Sequence, residues 1–160
     1  MSVALDTRPK LAPPEVTALR DDVAEEAVLG AVLLDDAVLP LLLAHIEEGD
    51  FGAPTHAEVF SAMRSVVAQG ARVDFISLDR ELRVRNRLQA VGGPQALAEF
   101  VDRLAQVSFS TAHAETHARL VADAARRRRV YALCAMLAGQ AKDRAVPMES
   151  VGRSVRLLVD

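Results

Sequence analysis

Tryptophan is absent, aromatics are 4% of the residues, and the only thiol is Cys134. With so few rings the core must be filled by Leu, Val and Ala, a composition that favours helices in close contact. A single cysteine excludes an internal disulfide and a thiolate set for structural zinc, which suits a reducing compartment. Lysine is almost as scarce: Lys10 follows Pro9 and Lys142 follows Ala141. A phosphate-binding P-loop needs lysine directly after glycine, because its amides cradle phosphate while the ammonium reaches the terminal oxygens. Neither lysine qualifies and no G-x-G-x-x-G run occurs, so the sequence excludes P-loop ATP hydrolysis by this chain and implies no cofactor for it. There is also no apolar run of about 18 residues to cross a membrane, and Met1 to Lys10 lack the apolar centre of a signal peptide. A cytoplasmic protein is expected.

What is present is 160 residues, 51% of them apolar, with a net charge of -3. That length suits one domain with a core of its own. The mildly acidic balance argues against strong nonspecific DNA binding, so any contact with DNA is expected to be weak or indirect.

Residues 1–20 carry Pro9, Pro13 and Pro14 without an apolar period and read as a flexible lead. From Asp22, the spacing of Ala24, Ala27, Val28, Ala31 and Val32 predicts an amphipathic helix, capped by Asp21 or Asp22, with Glu25 and Glu26 complementing its dipole. Asp35 and Asp36 end it, and a second helix from Leu39 to Ile46, nearly all apolar, is expected to be buried on most sides. Pro54 opens a third helix with Val59, Phe60, Met63, Val66 and Val67 on its apolar face, and Asp74 caps a fourth with Phe75, Leu78 and Leu82. After Gly92-Gly93-Pro94 a fifth turns Leu97, Phe100, Val101 and Leu104 inward. No stretch alternates with the period of a strand, so the fold is expected to be all-α.

Residues 21–109 thus form a globular helical subdomain and residues 110–160 a projecting antiparallel hairpin, its long helix at 111–140 capped by Ser110 or Thr111 and its return helix at 147–158. The long helix carries an early apolar set, Leu120, Val121, Ala124 and Ala125, and a later one, Val130, Leu133, Cys134, Leu137 and Ala138, which serve different surfaces. Met148, Val151, Val155 and Leu158 form one stripe on the return helix. Two helices enclose little area, so the hairpin needs a partner. Tyr131, Cys134 and Ala138 with Met148, Val151 and Val155 are the candidate paired surface, and Val151→Asp or Val155→Asp is expected to weaken pairing by burying an unpaired charge.

No catalytic or metal site emerges. His113 and His117 stand at i, i+4, but Glu115 is out of register for H-E-x-x-H, and a pair of exposed polar side chains is the simpler reading. His45 and His56 are read as capping or surface residues. Arg126, Arg127, Arg128 and Arg129 fan through most of a helical turn, so at least one must face the protein; a salt-bridged cluster at the hairpin root is expected rather than a phosphate track.

Several stretches taken in order resemble the N-terminal domain of DnaB-type bacterial replicative DNA helicases. They are Ala24-Glu25-Glu26-Ala27-Val28-Leu29-Gly30-Ala31-Val32-Leu33-Leu34, then Asp50-Phe51, His56 with Phe60, Val73-Asp74-Phe75-Ile76-Ser77-Leu78, Leu82, Gly92-Gly93 with Leu97, Ser110-Thr111-Ala112, Ala118-Arg119-Leu120-Val121 and Arg128. Glu26 replaces the usual Gln, and His113 and His117 stand where the family tends to have Asn and Tyr. The resemblance covers roughly residues 13–158. It implies a noncatalytic collar domain that pairs hairpin to hairpin, as a dimer or within a hexameric ring, and docks a DnaG-type primase and in some members a helicase loader. ATP and Mg enter only with an ATPase domain elsewhere in a longer protein. A free-standing adaptor or inhibitor of a helicase or primase is the alternative, as is a primase's helicase-interaction domain, against which the stretch beginning at Ala24 argues.

Overall fold

The structure, a computed structural model, describes residues 19–108 and 110–159, with side chains as far as Val155 in the last helix. The expected lead lies almost wholly outside the described residues, as does the side chain of Leu158. Among the described residues there are seven α-helices and no strand: α1 Asp22–Leu34, α2 Leu39–Leu43, α3 Pro54–Ala68, α4 Phe75–Val84, α5 Gly93–Val107, α6 Ala114–Lys142 and α7 Met148–Val159. Three 3-10 turns, Asp36–Val38, Glu48–Asp50 and Leu88–Val91, bridge them. The fold is all-α, a small helical bundle followed by a projecting antiparallel hairpin.

The bundle is built around α1. Asp21 caps it by accepting the Ala24 N–H at 2.9 Å, and Ala24, Val28, Leu29, Ala31 and Val32 are buried against α3, α5 and the first half of α6. Gly30 permits the closest approach, because a Cβ there would collide with the Ser108 side chain at the end of α5. Asp36 ties the corner after α1 to the segment before α4 by accepting the Val73 N–H. α4 begins with a reciprocal cap in which Asp74 accepts the Ser77 N–H and the Ser77 hydroxyl accepts the Asp74 N–H. Gly92 and Gly93, with φ of 91° and 87°, make the left-handed corner into α5 that a side chain would strain. Phe60, Met63, Leu78, Leu82, Leu97 and Leu104 complete the core.

Three details depart from the sequence reading. α2 stops at Leu43 and leaves Leu41 and Leu43 exposed; only Leu39, Leu42 and Ile46 reach the core. With so few residues α2 exposes one side and lets the chain turn, which is how Ile46 arrives inside. α6 starts at Ala114 rather than at a Ser110 or Thr111 cap, since the Ser110 hydroxyl is spent on the Ala112 N–H one turn earlier. It then runs two residues beyond the expected end at Gln140, to Lys142, and tolerates Gly139 because one glycine costs only about 1 kcal/mol in a helix already propagated.

α6 has 29 residues, about 44 Å at 1.5 Å each. Ala114, Ala118, Val121, Ala122 and Ala125 seat its first half in the bundle, and no residue from Arg126 to Lys142 is fully buried. The second half stands off the globule, and α7 returns along it. No helix of the described residues is long and apolar enough to cross a membrane.

Candidate interaction surface of the hairpin

The surface begins at the hairpin root, where the fold must hold a long helix at a fixed angle. The segment from Asp50 to Pro54 links the 3-10 turn to α3 and is gripped from two sides. From α1, the Glu25 carboxylate, 1% exposed, accepts the Gly52 N–H at 2.6 Å and the Ala53 N–H at 3.2 Å, and lies 2.8 Å from His56 Nδ1. Burial pushes the Glu25 carboxyl up, but the His56 hydrogen bond and the two amides outweigh it and hold it below the usual value. His56 stacks on Phe100, ring centroids 5.3 Å apart, and the Arg103 guanidinium lies over the Phe100 ring at 5.0 Å.

From α6, Arg128 donates to the Asp50 carbonyl and, at 3.2 Å, to the Leu19 carbonyl. Arg129 donates to the Asp50 carboxylate, which also accepts the Glu47 N–H at 2.9 Å. The arginine run therefore divides: Arg128 and Arg129 latch the hairpin to the globule, whereas Arg126 and Arg127 lie outward against Asp123. The Arg127 hydrogen bond holds the Asp123 carboxyl below its usual value. Gly52 sits where these elements converge, and a Cβ there would meet the side chains of Arg20, Arg128 and Glu25.

Beyond the root the hairpin presents apolar side chains. Val130, Cys134 and Ala138 fall at i, i+4 and i+8 on α6, all exposed, with Tyr131 half-buried beside them. A shallow depression of about 530 Å³ is lined by Leu19, Val130, Tyr131 and Cys134 and rimmed by Asp123, Arg126 and Arg127. On α7, Met148 and Val155 are 68% and 44% exposed, while Val151 is 7% exposed and packs within the seam between the two helices. Five of the six residues read from the sequence are at least partly exposed, and Val151 is buried.

Sequence reasoning named Glu25, Asp50 and His56 but missed the contacts they make at the root. His56 is buried rather than capping or superficial, because Glu25 supplies its partner inside the protein. The signal was available: Glu25 stands on the buried stripe of α1, a turn before Val28 and Leu29, where a carboxylate needs partners. His45 is half-exposed and bonds Glu115 across to α6 at 3.0 Å. His113 and His117 lie with ring centroids 6.4 Å apart, and Glu115 between them is engaged by His45 and Arg119. Asp22, Glu25 and His56 bring ligand atoms within 4.8 Å of one another, enough to consider a cation. Asp22 pairs with Arg20 at the surface, while Glu25 and His56 bond each other and Glu25 also takes the Gly52 and Ala53 amides, so Glu25 and His56 work as an internal cross-link.

Taken together, the fold defines an all-helical domain whose globule carries a latched, projecting hairpin. The profile of the DnaB-like helicase N terminal domain matches residues 18–123, and the chain belongs to that family. The match ends at Asp123, two residues before Ala125, the last residue of α6 buried in the globule. Among curated relatives, the replicative DNA helicase DnaB of Treponema pallidum (strain Nichols) is 34% identical over 118 residues, which are 74% of this chain and 26% of that protein. The replicative DNA helicase DnaB of Geobacillus stearothermophilus is 36% identical over 98 residues, 61% and 21% of the two chains. The crystal structure of the N-terminal domain of DnaB helicase from Mycobacterium tuberculosis superimposes with a TM-score of 0.75 at 27% identity, covering 93% of this chain and 100% of that one. The chain spans about a quarter of the length of the curated relatives it matches.

Proposed function

We propose that the chain serves as the noncatalytic N-terminal collar of a replicative helicase, pairing hairpin to hairpin and offering a docking surface to a DnaG-type primase during DNA replication. The observation that carries this reading is a hairpin fixed at its root by Arg128 and Arg129 whose outer half leaves Val130, Met148 and Val155 60%, 68% and 44% exposed. Apolar side chains grouped on a projecting element are stabilised by a partner, and a second hairpin supplies one of the same length and polarity. In this reading the chain itself takes no cofactor. ATP and magnesium serve an ATPase domain elsewhere in the helicase, the paired collars build its N-terminal ring, and the assembly works in the bacterial cytoplasm, where a helicase loader can also meet it.

Sedimentation velocity over a range of concentrations tests the pairing. The unaltered chain is expected to shift from monomer to dimer as concentration rises, and Val155→Asp to remain monomeric with unchanged helicity. A profile identical for both proteins at every concentration overturns the placement. Adding the primase of the same genome should give a further, faster species, and its absence overturns the docking role while leaving the pairing intact.

A further inference from the structure

A second surface lies on α3 and α4, and none of its lining residues belongs to α6 or α7. Between the C-terminal end of α3 and α4 runs an open groove of about 610 Å³. Ile76, Arg80 and Val84 stand along its α4 wall at i, i+4 and i+8, and Arg72 stands on the opposite rim. Ile76 and Val84 are 75% and 73% exposed, among the most exposed large apolar residues described. Two turns of α4, about 12 Å, separate them, the spacing at which a docked helix presents its own apolar residues.

The charges around the groove are unbalanced. Asp74 is spent on the α4 cap, Asp79 pairs with Arg83, and Glu81 is held by Gln69 and Arg85. Arg72 and Arg80 are exposed and make no ion pair among the described residues. The groove therefore offers two uncommitted guanidinium groups flanking two uncovered aliphatic side chains, in a chain whose net charge is -3. We propose that the α3–α4 groove is a docking site for an acidic amphipathic helix of a partner protein, whose carboxylates meet Arg72 and Arg80 while its apolar residues cover Ile76 and Val84. A nucleic-acid backbone would satisfy the arginines but leave both aliphatic side chains in water, and no aromatic ring lines the groove to stack a base. The pattern fits a helix that combines carboxylates with apolar anchors.

The test uses the whole chain and a fluorescein-labelled helical peptide of about 16 residues, roughly four turns, with Leu along one face and Glu on both flanks. The same peptide with Lys in place of Glu and an oligo-dT strand are the controls, all read by fluorescence anisotropy. Saturable binding of the acidic peptide is expected. It should weaken at least about ten-fold in Arg72→Glu/Arg80→Glu and in Ile76→Ser/Val84→Ser, while Val155→Asp leaves it unchanged. The charge-reversed double variant should in turn prefer the Lys peptide. All four positions are exposed, so circular dichroism should be unaltered; Arg72→Gln/Arg80→Gln gives the same comparison if reversal disturbs the fold. Failure to saturate by about 1 mM, equal binding to every variant, or binding of oligo-dT through Arg72 and Arg80 in place of the peptide overturns the proposal.

Discussion

Replacing Glu25 by Gln removes the anion at the centre of the root while keeping its volume. In the protein the carboxylate accepts three hydrogen bonds, from Gly52, Ala53 and His56, in a site 1% exposed. A glutamine has one acceptor oxygen, so its amide nitrogen must face at least one of those donors. One charge-assisted bond is lost and a buried donor is left opposed, a cost of about 3 kcal/mol. At a urea dependence of about 2 kcal/mol/M that lowers the midpoint by about 1.5 M with no change in slope. Measurements belong at one protein concentration, because self-association adds to apparent stability. The effect also has a pH sign. The Glu25 carboxyl is held below its unfolded value, so its contribution is fully present above that value and is lost as pH falls through the lower folded one. The unaltered chain should therefore lose stability below about pH 4.3, and Glu25→Gln should lose less over the same interval. A midpoint shift smaller than about 0.3 M at neutral pH would refute the reasoning.

Asp50→Ala removes the carboxylate that receives Arg129 and the Glu47 N–H; a loss of about 1–3 kcal/mol is expected, seen as a lower thermal midpoint and faster amide exchange at the start of the hairpin. Gly30→Ala drives a methyl into Ser108 and should cost about 1–3 kcal/mol by urea titration, with Ser108→Gly relieving part of it. Ser108→Ala alone should be neutral or stabilising, because that buried hydroxyl has no hydrogen-bond partner among the described residues. Val151→Asp should detach α7 from α6 and lower helicity by circular dichroism, an effect that Val155→Asp lacks; equal spectra for the two would contradict the seam position of Val151.

The helices were legible because their signals are local. The apolar spacing in α1, α3 and α5, the Asp21 and Asp74 caps and the Gly92-Gly93 corner each lie within a few residues of one another. The root was not, because Glu25 meets residues 27 to 31 positions away and Arg129 meets Asp50 across 79. No local pattern encodes such pairings; only the misplaced carboxylate on the α1 stripe hints at one. The end of α2 escaped for a different reason: an apolar run says that burial is sought but not that Leu41 and Leu43 will be left at the surface when the helix is this short. Val151 shares its stripe with Met148 and Val155, and the stripe is wider than the seam, so periodicity could not tell which residue lies inside.

The latch also bears on how strong the proposed pairing can be. Beyond Ala125, α6 runs about 25 Å to Lys142, and two helices side by side are about 20 Å wide, so one hairpin face projects roughly 500 Å². A standard interface buries about 800 Å² of accessible surface per partner, which a corrugated footprint of this size reaches only when the whole face is covered, so the two hairpins must meet at a fixed angle. Every residue of flexibility at the root would weaken the pair by adding motion to be lost on association. Arg128, Arg129 and the Glu25-bound segment remove that motion before a partner arrives, in the way preorganisation raises affinity without adding contact. Disrupting Asp50 should therefore loosen pairing even though Asp50 lies outside the proposed contact face, which separates a positioning role at the root from direct contact at Val155.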